Sequence, residues 1–134
     1  EAGERFRETG DNIAVCKFRA GLHAAMSLAQ AANRYLDRKE PWKALADDRV
    51  GAATTLWVSL SVINCLKTAL YPFIPFSSQK LHGMLGFDGD VESQGWTWHP
   101  QMLRGSQPLA EPGPLFAKLD EAIIERETQR IGRS

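Results

Sequence analysis

Two long stretches of this chain place apolar residues at intervals of three and four, and each is stopped by proline. From Asn12 to Leu36, residues Val15, Phe18, Leu22, Met26, Ala29, Ala32 and Leu36 recur at the spacing of one helix face. From Arg49 to Tyr71, Leu56, Leu60, Ile63 and Leu70 form one stripe, and Val58, Val62 and Leu66 form another. A helix apolar over so wide an arc packs on more than one side, which predicts that it lies at the centre of a bundle. Pro41 ends the first stretch, and Pro72 and Pro75 end the second. Proline lacks the N–H a helix interior needs and disfavours helical geometry in the residue before it.

The shorter elements follow from local chemistry. Asp11 or Asn12 can cap the first helix, and Asp47 or Asp48 the helix after a short turn ending near Ala46. Ala20, Gly21, Ala24 and Ala25 allow another helix to come close. Glu1 to Gly10 reads as a polar segment whose one large apolar residue is Phe6. A shorter helix is predicted from about Ser77 to Leu85, closed by Gly86. From there to about Gly113 the chain is rich in Gly, Pro and Trp and shows no period. Trp96, Trp98, Met102, Leu103 and Leu109 mark it as an ordered strap over the bundle. A last helix is predicted from Pro114 through Leu115, Leu119, Ala122 and Ile123 to Ile131, ending at Gly132. The fold class is all-α, a helical bundle with a long irregular strap before the C-terminal helix. Residues 1–134 form a single domain, with no internal repeat.

Composition narrows the function classes. The 134 residues carry 16 basic and 16 acidic side chains, so the formal net charge is zero. A general nucleic-acid coat protein, or a DNA-binding protein relying on phosphate neutralisation, would be basic. A reader of one RNA loop can instead use stacking and a small local patch. Cys16 and Cys65 are far apart in sequence and are expected to be buried, reduced thiols of a cytoplasmic protein. His23, His82 and His99 form no close pair with each other or with the cysteines, so no metal site and no catalytic constellation is predicted. Asp120, Glu121, Glu125 and Glu127 interleave with Arg126 and Arg130 as a solvated helix face. There is no signal peptide, and no apolar run is expected to cross a membrane. The chain begins with Glu rather than Met, and is expected to be truncated at its N-terminus.

The segment Asn33–Lys43 carries the binding chemistry. Gln30, Asn33 and Asp37 lie at helical spacing and form a polar stripe that ends at the Glu40–Pro41 turn. Asn33 offers donor and acceptor, and Asp37 offers acceptors, as an unstacked base edge requires. Asp37 stands near a helix C-terminus, where a negative charge is unfavourable, so a compensating partner is expected in the turn around Trp42 or in a ligand. Trp42 follows the turn, flanked by Arg34, Arg38, Lys39 and Lys43. A flat aromatic among cations can receive an unstacked base and its phosphates. The ordinary alternatives are a core tryptophan and a solvated charged turn.

The run Ala32-Asn33-Arg34-Tyr35, then Asp37, then Pro41-Trp42, closely resembles the anticodon-binding domain of bacterial methionyl-tRNA synthetases. Leu70-Tyr71-Pro72-Phe73-Ile74-Pro75 with Leu85-Gly86 resembles that family's second signature. Pro114-Leu115-Phe116 with Leu119-Asp120 resembles the start of its C-terminal helix. The similarity covers nearly the whole chain. It implies a helical domain that reads the CAU anticodon of a tRNA. Trp42 would stack on a base, Pro41 and Asp37 would shape that site, and Asn33 would stand beside them. The resemblance further implies that ATP and methionine are handled by a separate upstream catalytic domain, since no ATP-site signature is present. An upstream Asn-Leu-x-x-Arg helix, which shares anticodon reading in the family, is also absent from these residues. The rival readings are the helical bundle of a synthetase for valine, isoleucine or leucine, and a protein-interaction module anchored by Trp42.

Overall fold

The computed structural model describes residues 1–131. Its helices are α1 (Ala2–Ala14), α2 (Phe18–Lys39), α3 (Pro41–Ala44), α4 (Arg49–Leu70), α5 (Pro75–Met84) and α6 (Glu121–Ile131). Two short 3-10 turns, Val91–Gln94 and Pro100–Met102, interrupt the strap between α5 and α6. Among the described residues there is no strand, and the all-α expectation holds. α1 packs along α2, and both reach α4, on which α3 and α5 also sit. The helix that was expected to be central is α4.

The N-terminal expectation fails at one point. Glu1 to Gly10 is not a polar lead-in; it belongs to α1, and Phe6 is a core residue. The predicted Asn12–Leu36 helix is split by a turn at Val15–Lys17. There the Cys16 N–H bonds to the Ile13 carbonyl at 2.9 Å, and the Lys17 N–H to the Asn12 carbonyl at 2.8 Å. That pair of bonds is a Schellman motif, with Cys16 in the left-handed position at φ 59°. Glycine ordinarily occupies this position, so nothing in the sequence announced the break. The end of α5 uses the same device with the expected residue. Gly86, at φ 77°, donates to the Gly83 carbonyl, and Phe87 donates to that of His82.

The two long helices bury faces of different kinds. In α2 the buried residues are Gly21, Ala24, Ala25 and Leu28. A Cβ at Gly21 would press on Ile13 at 3.1 Å, so the glycine sets the α1–α2 approach. The larger Phe18, Leu22 and Met26 stay outside. In α4 the buried set includes Thr55, Ser59, Ser61, Asn64, Lys67 and Thr68, whereas Leu56 and Trp57 are exposed. Thr55 and Ser59 are satisfied by back-bonding to carbonyls four residues earlier. By length and hydropathy alone α4 could cross a membrane, against the expectation of no such run. Its polar buried face, packed between α1, α2 and α5, instead marks it as the core helix of the bundle.

The strap is ordered, as its tryptophans required. Trp96 stacks on Phe6 at 4.9 Å between centroids, and Trp98 meets the same ring at 5.6 Å. Gly10 makes this possible, because the Trp96 indole fills the space a Cβ would take. Polar ties hold the rest. Tyr71 Oη donates to Glu92 at 2.9 Å, and Gln107 Nε2 to the Leu85 carbonyl at 2.6 Å. Past Gly113 the sequence reading places the last helix too early. Pro114–Asp120 is irregular, and α6 begins at Glu121, after Asp120 accepts the Ile123 N–H at 2.9 Å. Phe116, Leu119 and Ile124 are exposed, and the expected stop at Gly132 lies outside the described residues. Cys65 is buried as expected, but Cys16 is exposed; both are free.

Lys67 is fully buried and has no carboxylate partner among the described residues. Its Nζ donates to Asn64 Oδ1 at 2.6 Å and lies 4.1 Å over the Phe87 ring. Burial pulls its pKa down to about 8, and burial raises the nearby Cys65 thiol to about 11. Below pH 8 the folded and unfolded states both keep the lysine proton, so the cost of burying the charge is present in full. Above pH 8 the folded state sheds that proton first, and the cost fades. The Lys67 contribution to folding stability should therefore rise by about 1 kcal/mol between pH 8 and 9, offset in part by Cys65, whose raised pKa acts in the opposite sense as pH approaches 9. Denaturation at these two pH values should show the rise in the wild type and its loss in Lys67→Met. A second expectation concerns the α1–α2 turn. Cys16→Gly should stabilise by about 1 kcal/mol, since an L-residue pays that much in the left-handed region. An unchanged or lowered melting temperature would show that the turn is not strained.

Candidate nucleic-acid interface

The corner between α2 and α3 is built by one residue. Glu40 adopts φ 38° and ψ 56°, ending α2 and starting α3 at the same point. Its N–H donates to the Leu36 carbonyl at 2.9 Å, and its own carbonyl accepts from Lys43 at 2.8 Å and Ala44 at 3.2 Å. Pro41 occupies the first position of α3, where its missing N–H costs nothing, and it is buried. α3 packs on α4, whose start is capped by Asp48 accepting the Gly51 N–H at 2.8 Å. Pinned in this way, the turn projects Trp42 outward, with 60% of its surface exposed. The core-tryptophan alternative does not apply to it.

Asn33 and Asp37 are both exposed, one turn apart on α2. Neither side chain has a hydrogen bond or ion pair among the described residues. Asp37 thus lacks the partner expected for it inside the turn, and its carboxylate is open to solvent. Tyr35 and Arg38 line a cleft of about 220 Å³ against Val58 and Val62 of α4. By helical spacing Tyr35 lies on the side of α2 opposite Asn33 and Asp37, and Arg38 on its flank. The exposed stripe that ends in Gln30, Asn33 and Asp37 begins, four residues at a time, with Phe18, Leu22 and Met26. One face of α2 is therefore apolar in its first half and polar in its second.

The four basic residues differ in their surroundings. Arg34, Arg38, Lys39 and Lys43 are all exposed. Arg38 and Lys39 stand in the last turn of α2, where positive charge complements the helix dipole. Arg38 Nε donates to the Arg34 carbonyl at 3.3 Å, so its guanidinium lies back along the helix. Lys43 is the one of the four with a carboxylate partner, Glu40, at 2.6 Å. The sequence reading saw Glu40 only as the residue before the proline. Its spacing of three from Lys43 was the available signal. The structure thus gathers the predicted residues in the segment 33–43. Asn33, Asp37, Trp42 and the cations are accessible, and Pro41 is buried beneath them.

A family model described as the anticodon binding domain of methionyl tRNA ligase matches residues 1–133. The chain belongs to this family. A methionine--tRNA ligase of Dehalococcoides mccartyi is 43% identical over 125 residues, covering 93% of this chain and 22% of the relative. Methionine--tRNA ligases of a Roseiflexus species and of Thermomicrobium roseum are 40% and 39% identical, covering 96% and 94% of this chain and 26% of each relative. The chain thus spans about a quarter of the length of these curated relatives and matches their C-terminal portion. The bundles of the valine, isoleucine and leucine enzymes, and a generic interaction module, give way to this family.

Proposed function

We propose that this chain reads the CAU anticodon of a tRNA, as the C-terminal part of an enzyme that joins methionine to that tRNA using ATP. The observation that carries the reading is the exposed Trp42 ring, held at the α2–α3 corner that follows the exposed Asn33 and Asp37 in the chain. In this reading Trp42 stacks on an anticodon base, and stacking on an aromatic is worth roughly 1–3 kcal/mol per base. Pro41 holds the ring's backbone, while Asp37 and Asn33 offer acceptors and a donor to a base edge. Arg34, Arg38 and Lys39 act on phosphates, which position an RNA without reading its sequence, while Lys43 is already paired with Glu40. ATP and methionine belong to the upstream catalytic portion, as does all bond-making chemistry, and the enzyme works in the cytoplasm without DNA or membrane. Membership of the family supports this reading, as does the match to methionine--tRNA ligases over most of the chain.

The open apolar half of α2 fits the same proposal. Phe18, Leu22 and Met26 are exposed, at 57%, 40% and 47%, and run into the polar half of the stripe. A contiguous apolar face of this kind marks a docking surface. The upstream portion of the same enzyme is the partner we assign to it, which sets that portion beside Asn33 and Asp37. In the complete enzyme, Trp42→Ala should preserve folding and weaken binding of the CAU tRNA by roughly ten- to a hundredfold. Neutralising Arg34 or Lys39 should instead weaken cognate and non-cognate RNA alike and make the salt dependence shallower. Unchanged aminoacylation by Trp42→Ala would sink the reading. A basic-residue variant that altered only anticodon preference would sink the phosphate role.

A further inference from the structure

The corner that presents Trp42 contains an acid where the backbone favours glycine. At φ 38°, Glu40 occupies a region that glycine enters freely and an L-residue does not. Its carboxylate reaches forward one turn to Lys43 Nζ at 2.6 Å, the residue immediately after Trp42. Stability does not explain this arrangement. The Lys43 side chain is 69% exposed and that of Glu40 44%, and ion pairs so open to solvent contribute little to folding. The consequence lies in the charge offered to an RNA. Among the described residues, the other three cations of the corner have no carboxylate partner, so Lys43 alone is neutralised.

We propose that Glu40 is a specificity-determining residue of the RNA site: it keeps the Lys43 ammonium off the phosphates next to Trp42. The inference rests on the proposed reading of Trp42 as a base platform. A free cation beside the ring would hold any strand by its backbone, whatever its bases. A carboxylate already seated on that cation removes this sequence-blind attraction and repels phosphates itself. Binding at the corner then depends on a base that stacks on Trp42 and pairs with Asn33 or Asp37. Affinity for RNA in general is lower, and the difference between correct and incorrect anticodons is larger.

The test uses the complete enzyme and three RNAs: the CAU tRNA transcript, the same transcript with a changed anticodon, and a single-stranded oligouridine. Glu40→Gln keeps the side chain's size and removes its charge. It should tighten oligouridine and the altered transcript by roughly fivefold and steepen the dependence of log affinity on log salt by about 0.7, the value for one added single-strand phosphate contact. The CAU transcript should gain less, so discrimination falls. Adding Lys43→Met to Glu40→Gln should return both quantities to wild-type values. Glu40→Gly, which suits the left-handed backbone, should behave as Glu40→Gln does. If Glu40→Gln leaves the salt slope and oligouridine affinity unchanged, the proposal is overturned. It is overturned equally if Glu40→Gly alters discrimination and Glu40→Gln does not, because backbone geometry rather than charge would then be responsible. Trp42→Ala separates the two levels: if it leaves CAU binding intact, the RNA reading itself fails. If it weakens CAU binding while Glu40→Gln is silent, only the role of Glu40 falls.

Discussion

The close approach of α1 and α2 decides most of what this chain presents to its surroundings. The two helices meet through Gly21, with Ala24, Ala25 and Leu28 buried along the same face of α2. Small residues let the backbones come near, and once they do, the opposite face of α2 cannot also turn inward. That face carries Phe18, Leu22 and Met26 and then Gln30, Asn33 and Asp37. A larger residue at Gly21 would press on Ile13 and force the helices apart. The change would reach the orientation of every residue on the exposed stripe.

The second consequence is the polar interior of α4. With small residues filling the α2 side, the space around α4 is shared by Thr55, Ser59, Asn64 and Lys67, each with a nearby acceptor. Lys67 carries the largest penalty, since its charge is met by an amide oxygen and an aromatic face rather than by a carboxylate. Phe87 reaches it because the Leu85-Gly86 turn directs the strap back over α5. His82 is buried too; its desolvation lowers its pKa, and its Nε2 lies 3.2 Å from the Asp88 carbonyl. The strap is thereby part of the core, not an ornament on it, and its loss would expose a charged lysine cavity.

What could be read from the sequence was what is decided locally. The stop at Pro41, an aspartate cap on α4 and the closure at Gly86 each depend on one residue's backbone chemistry and stand where the residues placed them, whereas α5 enters at Pro75, two residues before the expected Ser77. The exposed Trp42 and the open apolar half of α2 were legible for the same reason: a charged, proline-stopped corner and an apolar stripe without enough partners. The break at Cys16 was hidden because a cysteine holds a position that normally calls for glycine. The buried face of α4 was misread because periodicity ranks residues by apolarity. It cannot separate a face turned to this bundle from a face turned to a partner. Leu56 and Trp57 on α4, like Phe18 on α2, are apolar yet exposed. The start of α6 was set by Asp120 capping rather than by Pro114, a choice between two plausible first turns.

The corner itself combines both kinds of information. Its rigidity is local: Glu40 closes α2 onto Leu36 and opens α3 through Lys43 and Ala44, so three backbone hydrogen bonds converge on one residue in a costly conformation. Its direction is tertiary, because α3 is seated on α4 and α4 is held by the buried polar face described above. A tryptophan on a flexible loop would lose conformational freedom on stacking, and that loss would offset much of the gain. Here the backbone is ordered before any ligand arrives, and only the side-chain rotamers remain to be fixed. The strain at Glu40 is therefore understandable as pre-organisation. On the proposed reading it is tolerated because the exposed ring then meets a base at a fixed angle, and it is supported by a bundle whose core contacts lie elsewhere.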